Sequence, residues 1–594
     1  MPISKLTSLP FPPPAVPPFS ASGQGLIASV NQLIDTSVAS LKSLTATPQT
    51  DTVYNVIGFY AGSSVGGGQI VYRPDVSKSL HNGGTIIAPE AIATWDGTNE
   101  NLSALLSWTG SGTGCFVRLE SPAYYNVETF GGLPSPALCT ESMQKLIDTY
   151  GFFVGVPNRE YTIRRVFLTR PVYIDLNQCT IRGDVFTTSG FRADGISGIY
   201  IKNGNFVHTK TIGVYVQAIT LWNCQNITLE NLTIDGFSQF SINITHTIDG
   251  VYSGFKLDRV KVTNGGNFFA DPSAIANCME FFSSNSSAIR TDTLITDCEF
   301  SLMPDAKGNV AKFGLCRDTQ VVRSKFSSLR ATFVGSSGIQ SGSNNNPLNG
   351  ENRVTLQDCE INCVDTTDGY YAYDGTGWQT FIRSKITGNG GSIYVPPKGA
   401  QTQKWIFIDS NIVDKLTYDN PIHEIEELSL TNSYIKTLEL SKDNSNPAAC
   451  IVRNLTIKDS VVDTLQIGVV SIDNLTISGA KSSLTTLSIF NADTIIGDIL
   501  IFDKATLGDV TYTTATGSVY SIIIDGARIN RLAIRNNNLS SLVVRNSDLF
   551  VGGSLDWYMG AIDTCVFSNN TIKENPDNPP TTATNVLLLT MASL

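Results

Sequence analysis

The stretches VVRSKF (321–326), LQDCEI (356–361), FIRSKI (381–386) and FIDSNI (407–412) share one pattern: apolar-x-polar-small-x-apolar. The same pattern stands at LENLTI (229–234), LDRVKV (257–262), ITDCEF (295–300), LTNSYI (430–435) and IKDSVV (457–462). Its third residue is a marker: Asn231, Arg259, Asp297, Arg323, Asp358, Arg383, Asp409, Asn432 and Asp459, at spacings of 28, 38, 26, 35, 25, 26, 23 and 27. A period of roughly 25 residues with two longer insertions is what one coil of a parallel β-solenoid, wound many times, produces.

The charges at these markers test that reading. From Arg259 to Asp409 they alternate in sign, and two residues on a second series reads Lys261, Glu299, Lys325, Glu360, Lys385, Asn411. Equivalent residues of stacked parallel strands lie about 4.8 Å apart. Like charges would repel down such a column, whereas opposed charges contribute about 0.2–1 kcal/mol per pair. The alternation therefore reads as a structural ladder, not as catalysts. Small Cys298, Ser324, Cys359, Ser384, Ser410, Ser433 and Ser460 stand between the columns and are expected to face inward, with Phe300, Phe326, Ile361, Ile386 and Ile412 filling the core.

Outside the repeat the chain divides further. Residues 1–50 hold a proline-rich arm, with seven prolines in the first 23 residues, and GLIASVNQLIDTSVASLKSL (25–44), whose apolar spacing predicts a short amphipathic helix. Residues 51–125 turn to short β-like runs broken by glycine and form a small N-terminal domain. The main solenoid is assigned to 126–450. From 451 to 550 the runs LTI (455–457), LQI (465–467), LTI (475–477), LSI (487–489) and ILI (499–501) come every ten to twelve residues, which predicts a slimmer solenoid. Residues 551–594 are a tail.

Composition closes off several function classes. The 594 residues carry 41 basic and 52 acidic side chains, a net charge of −11, and no basic stripe, so nucleic acid is not an expected partner. No apolar run of about 18 residues offers a membrane span, and the proline-rich start is not the apolar core of a signal peptide. Eleven cysteines, none in a CxxC, read as reduced buried thiols. No metal site or cofactor is expected.

Two further stretches carry a resemblance. VIGFYAGSSVGGGQIVYRPDVSKSLHNGGTIIAP (56–89) followed by GCFVRLE (114–120) is similar to the small domain that precedes the β-helix in bacteriophage tailspikes that degrade host capsule or O-antigen. VETFGG (127–132), a short helix near 140–150, and VGVPNREYTIRRVFLTRPVYIDLNQCTIRGD (154–184) resemble the start of a pectate-lyase-type right-handed β-helix, with Leu133-Pro134-Ser135 where that family carries an acidic Gly-Asp-Gly run. The resemblance implies an all-β chain: a right-handed parallel β-helix behind a small domain, assembled as a parallel homotrimer on a phage tail. It also implies binding and cleavage of a bacterial surface polysaccharide, by hydrolysis or by β-elimination, with attachment to a tail or baseplate protein through the N-terminus. A non-enzymatic receptor-binding spike is the rival.

Hydrolysis needs two carboxyl groups, about 5–5.5 Å apart for retention or about 6.5–9.5 Å for inversion. The insertions at 263–293 and 327–353 are expected to wall a groove. Aligned second strands (241–249, 277–284, 310–318, 334–340, 369–375 and 392–397) gather an irregular polar and aromatic set. Glu280, the one carboxylate in CMEFFSS, is the expected general acid, with Phe281 and Phe282 desolvating it; a solvated strand glutamate is the plain alternative. Asp374 in DTTDGYYAYDGTGW (365–378) and Asp249 in THTIDG are the other catalytic candidates, each also readable as a turn aspartate. Tyr370, Tyr371, Tyr373 and Trp378 offer faces for sugar stacking, and Lys312, Arg317 and His246 polar contacts. HNGG (81–84) reads as a turn.

Overall fold

The computed structural model describes residues 36–45, 48–50, 52–120, 125–184, 190–208, 216–237, 240–265, 277–283, 288–303, 309–313, 317–328, 337–341, 353–363, 368–372, 378–388, 393–395, 403–418, 424–440, 451–468, 471–489, 495–512, 518–536, 539–551, 557–559 and 564–574. The chain divides into two units: Met1–Asn285 with Asp297–Lys307, and Ser286–Thr296 with Gly308–Leu594.

The first unit opens with a small sheet. Val53–Gly58, Gly66–Ser77, Thr113–Arg118 and Ile86–Ile87 pair antiparallel in that order, and Thr36–Ser37 joins Val53–Gly58 in parallel. The sheet thus begins before residue 51. The helix expected over 25–44 is corrected where it is described: Thr36–Ser37 is extended, and only Ala39–Leu44 is helical, as a 3-10 turn. Strand pairing there outweighs the helical spacing of the apolar residues. HNGG is a turn, as expected; Asn82 Oδ1 accepts the N–H groups of Gly84, Thr85 and Ile86. Gly84 is needed because a Cβ there would stand 2.6 Å from the Phe130 ring.

Helix Thr140–Tyr150 buries Met143, Leu146 and Ile147, one stripe of its surface, where the solenoid begins. Its Gln144 side chain accepts from the N–H of Phe167 at 2.7 Å and donates to the carbonyl of Phe167 at 2.8 Å. One amide side chain so occupies strand-edge groups that would otherwise invite another chain.

Beyond it the backbone winds as a parallel β-solenoid in each unit. In the first, Phe153, Ile174, Ile201, Leu229 and Leu257 stack in register and are fully buried. In the second, one inward file runs from Val321 through Leu356, Phe381, Phe407, Leu430, Ile457, Ile477, Ile501 and Ile524 to Val544, none more than 3% exposed.

All nine markers are corners. Each sits in the left-handed region, with φ between +46° and +55°. Asn and Asp tolerate that conformation better than other side chains, and six of the nine are Asn or Asp. Charge pairing across coils accompanies the exceptions. Arg383 forks onto Asp358 at 2.6 and 2.7 Å, and Arg259 reaches Glu230 at 2.8 Å. Those hydrogen bonds from Arg383, helped by the nearby charge of Arg323, hold the Asp358 carboxyl below its ordinary range. In the second series Lys261 meets Glu299 at 3.0 Å and Lys325 meets Glu360 at 3.8 Å.

A small buried residue follows seven of the nine corners, Cys298, Ser324, Cys359, Ser384, Ser410, Ser433 and Ser460, and four of the serines accept an amide from the preceding coil. Ser384 Oγ accepts the N–H of Cys359, Ser410 Oγ that of Ser384, Ser433 Oγ that of Ser410, and Ser460 Oγ that of Ser433. Each of these hydroxyls donates to a carbonyl two residues back in its own coil. A polar thread through an apolar interior is thereby satisfied rung by rung.

In the second unit the coil narrows from three strands to two. The strand Asn411–Tyr418 pairs with Lys385–Thr387 through Asn411 and Ile412, and with Ile393–Val395 through Leu416–Tyr418. It fuses two short strands into one. The slimmer solenoid thus starts near residue 403, ahead of the boundary expected at 451. Further on, an outward file changes character: Ser429, Thr456 and Thr476 are followed in register by Leu500, Ile523, Val543 and Val566.

Candidate functional site

In the first unit the second strand of successive coils builds one outer face. Arg165–Phe167, Gly190–Asp194, Gln217–Trp222, Phe240–His246 and Asn277–Ser283 pair in parallel. Strand alternation sends Phe191, Ala193, Ile219, Leu221, Ile242, Ile244, Met279 and Phe281 to the core, where all are buried. The other parity forms two outer files: Phe167, Arg192, Thr220, Asn243 and Glu280, and beside it Asp194, Trp222 and Thr245.

Glu280 lies on this outer file directly after Asn243, yet is only 7% exposed. The expected desolvation by Phe281 is corrected: Phe281 points to the opposite face of the strand. Asp249 is exposed in the bend that follows His246. Tyr252 lies beside it, and burial first, then the charges of Asp194 and Asp249, raise the Tyr252 phenol above its ordinary range. The Tyr252 hydroxyl itself donates to the Ile248 carbonyl at 3.0 Å. Asp194 is oriented by Asn223, whose Nδ2 donates to Asp194 Oδ1 at 3.0 Å while its Oδ1 accepts the N–H groups of Thr247 and Ile248. His246 is corrected from surface contact to packing residue: it is fully buried, its Nε2 donates to the Cys224 carbonyl at 3.0 Å, and its ring lies 3.9 Å from that of Tyr252.

The remaining candidates fall in the second unit. Lys312, Gln340, Tyr371 and Tyr394 occupy one register file, so the expected alignment of these strands holds. Tyr370 shares its register position with Ile393, which is fully buried. Arg317 is half-buried in a bend, where its N–H bonds the Arg290 carbonyl. Trp378 belongs to the first strand of its coil. Arg353 and Lys404, its register neighbours, place their cations 4.6 and 4.9 Å from its ring, which remains exposed. Asp374 and Tyr373 lie outside the described residues, as does most of the insertion at 327–353 and about half of that at 263–293.

Sequence reading missed Arg192, Asp194, Trp222, Asn223 and Tyr252. The signal was available two coils earlier, in GFRAD (190–194) and QAITLW (217–222), which continue the alternation of SINITH. Among the described residues no cluster of His, Cys, Asp and Glu could hold a metal ion.

Residues 35–121 match the family described as phage tail protein small four-stranded beta-sheet domain. The chain joins a phage-tail-type domain to a β-solenoid. No curated protein matches the sequence. Solved structures that are similar include the tailspike protein of Acinetobacter baumannii bacteriophage Fri1, a capsular polysaccharide depolymerase (13% identity, TM-score 0.36, 82% of this chain and 76% of that one). The tailspike of Acinetobacter phage vB_ApiP_P1 is similar at 11% identity and TM-score 0.32, over 96% and 77% of the two chains. The Streptococcus pneumoniae surface protein and adhesin PfbA is similar at 10% identity and TM-score 0.32, over 67% and 99%.

Proposed function

We propose that this chain is a phage tailspike that binds a bacterial surface polysaccharide and depolymerises it by endo-glycosidic hydrolysis. It attaches to the virion tail through the domain at residues 35–121 and acts outside the host cell as a homotrimer. The observation that supports the activity is the outer face of the first unit, where Asp194 is held by Asn223, Asn223 also anchors the bend that carries Asp249, and Glu280 stands on the neighbouring file. One carboxyl group protonates the leaving oxygen while a second acts on the sugar or on water. Asp194 and Asp249 are proposed as that pair. Glu280 and Asp374 complete the set to be tested.

Incubation with the capsule or O-polysaccharide of a sensitive bacterium, followed by mass analysis, decides between the readings. Shorter saturated oligosaccharides support hydrolysis; unsaturated uronate absorbance means elimination; an unchanged polymer that still binds means a non-enzymatic spike. Asp194→Asn and Asp249→Asn each lower turnover by about 10²–10⁴-fold, and full activity in both overturns the site.

A further inference from the structure

On the same outer face a cavity of about 210 Å³ opens between coils, lined by Arg165, Arg192, Gln217, Thr220 and Trp222 over the backbone of Gly190. Its floor is bare by necessity: a Cβ on Gly190 would lie 2.0 Å from the Ala218 carbonyl oxygen. Arg192 rests on Trp222, with its guanidinium carbon 4.1 Å from the ring centroid. Arg165 lies over Phe167 at 6.0 Å. Each cation thus has an aromatic ring as a neighbour, with Arg192 the more closely packed of the two.

In a chain of net charge −11, two guanidiniums line one small cavity. Burial, and then the neighbouring charge of Arg192, make Arg165 a weaker base than an exposed arginine. Among the described residues no carboxylate is within ion-pair distance of Arg192, and Asp194, the acid nearest in sequence, is held by Asn223. Elsewhere in this molecule arginines on the coil surface are matched with acids, as Arg383 is with Asp358 and Arg453 with Glu424 and Asp473. Like charges brought together in a cavity, with an aromatic wall, are complementary to an anion of a few atoms.

We propose that this cavity is a subsite for a carboxylate carried by the polysaccharide, so that the substrate is an acidic glycan. The proposal rests on the polysaccharide reading above. The carboxylate can belong to a uronic acid ring or to a pyruvate ketal, and both present the same two oxygens to the arginine pair.

The test titrates the full chain with trigalacturonate, with methyl 4,6-O-(1-carboxyethylidene)galactopyranoside, and with neutral maltotriose, by calorimetry or ligand-observed NMR. At least one carboxylated probe binds at least tenfold tighter than maltotriose, and which one binds tells uronate from ketal. Arg192→Gln and Arg165→Gln each weaken that binding tenfold or more and flatten its salt dependence, with melting temperature unchanged. Two single variants guard against loss of fold in one. Carboxylated probes that bind no better than maltotriose, or variants that bind them as tightly as wild type does, overturn the subsite. Cleavage of host polysaccharide is scored separately, so a chain that cuts a neutral glycan sinks the subsite alone. One that neither binds nor cuts any glycan sinks both.

Discussion

Ser410 stands where three requirements meet: it must be small, it must accept the N–H of Ser384, and it must donate to the Ile408 carbonyl. Alanine fulfils only the first. Ser410→Ala leaves a buried N–H with no acceptor, and denaturant unfolding is expected to show a loss of about 1–3 kcal/mol. Ser410→Cys is expected to lose less, because Cys298 Sγ already accepts the Val260 N–H at 3.4 Å in an equivalent rung. Arg383 makes the converse case. It sits at φ +46°, a conformation that suits asparagine, and its ion pair with Asp358 is solvent-exposed. Arg383→Asn is therefore expected to change stability by no more than about 1 kcal/mol in either direction at neutral pH. The ladder was legible in the sequence because a repeat aligns residues without any knowledge of backbone angles. The corner itself was not read, though Asp297, Asp358, Asp409 and Asp459 announce it. Charge was the louder signal, and alternation in sign drew attention from what the residue types share.

At the scale of the element, a stack of rings lies where the coil passes from three strands to two. Phe381 and Phe407 lie 5.0 Å apart with planes 10° from parallel, and Trp405 flanks both while its Nε1 donates to Gln403 Oε1. Phe407→Ala removes the middle of that stack from a fully buried position and is expected to cost about 3–5 kcal/mol, read as an earlier denaturant midpoint. The entry to the solenoid behaves differently. Burial raises the Glu128 carboxyl above its ordinary range, against the opposing pull of the Tyr161 hydroxyl and Arg159. The folded form then binds this proton more tightly than the unfolded one does. Stability from this group is therefore fully present below the unfolded carboxyl value, about 4.3, and declines as pH rises through the folded one. Glu128→Gln is expected to remove that decline, so wild type minus variant stability falls as pH is raised from acid toward neutral. The candidate site was harder to read at this scale than the ladder. The alternation that placed Glu280 on a strand also put Phe281 on its far side. The link from Asp194 through Asn223 to the bend before Asp249 joins neighbouring coils, and no single stretch of sequence announces it.

For the whole molecule, the outer file Leu500, Ile523, Val543 and Val566 bears on assembly. Val566 is 41% exposed and Tyr520, on the strand that carries Ile523, is 57% exposed. An apolar row on the outside of a solenoid is costly to leave in water and suits a second copy of the same chain. The proposed homotrimer predicts a particle of three times 64.1 kDa by light scattering. Val543→Asp with Val566→Asp is expected to shift the mass toward the single chain while the far-ultraviolet spectrum stays that of β-structure. An unchanged trimer would place the contacts on another face. The small N-terminal domain and the repeat were both visible before any coordinates. Assembly was visible only as an implication of resemblance, because nothing in a lone repeat says which of its faces another chain covers.

The corner-and-serine thread also governs how such a chain can change. Because a rung is locked by a left-handed residue and a hydroxyl or thiol of the following coil, the length of chain between corners is left open, as intervals of 23 and 38 residues between neighbouring markers attest. Whole loops can be traded like cassettes between one corner and the next without disturbing the winding. Under the proposed function, a spike facing a host that alters its coat would acquire a new grip by recombination in its loops, with its frame unchanged.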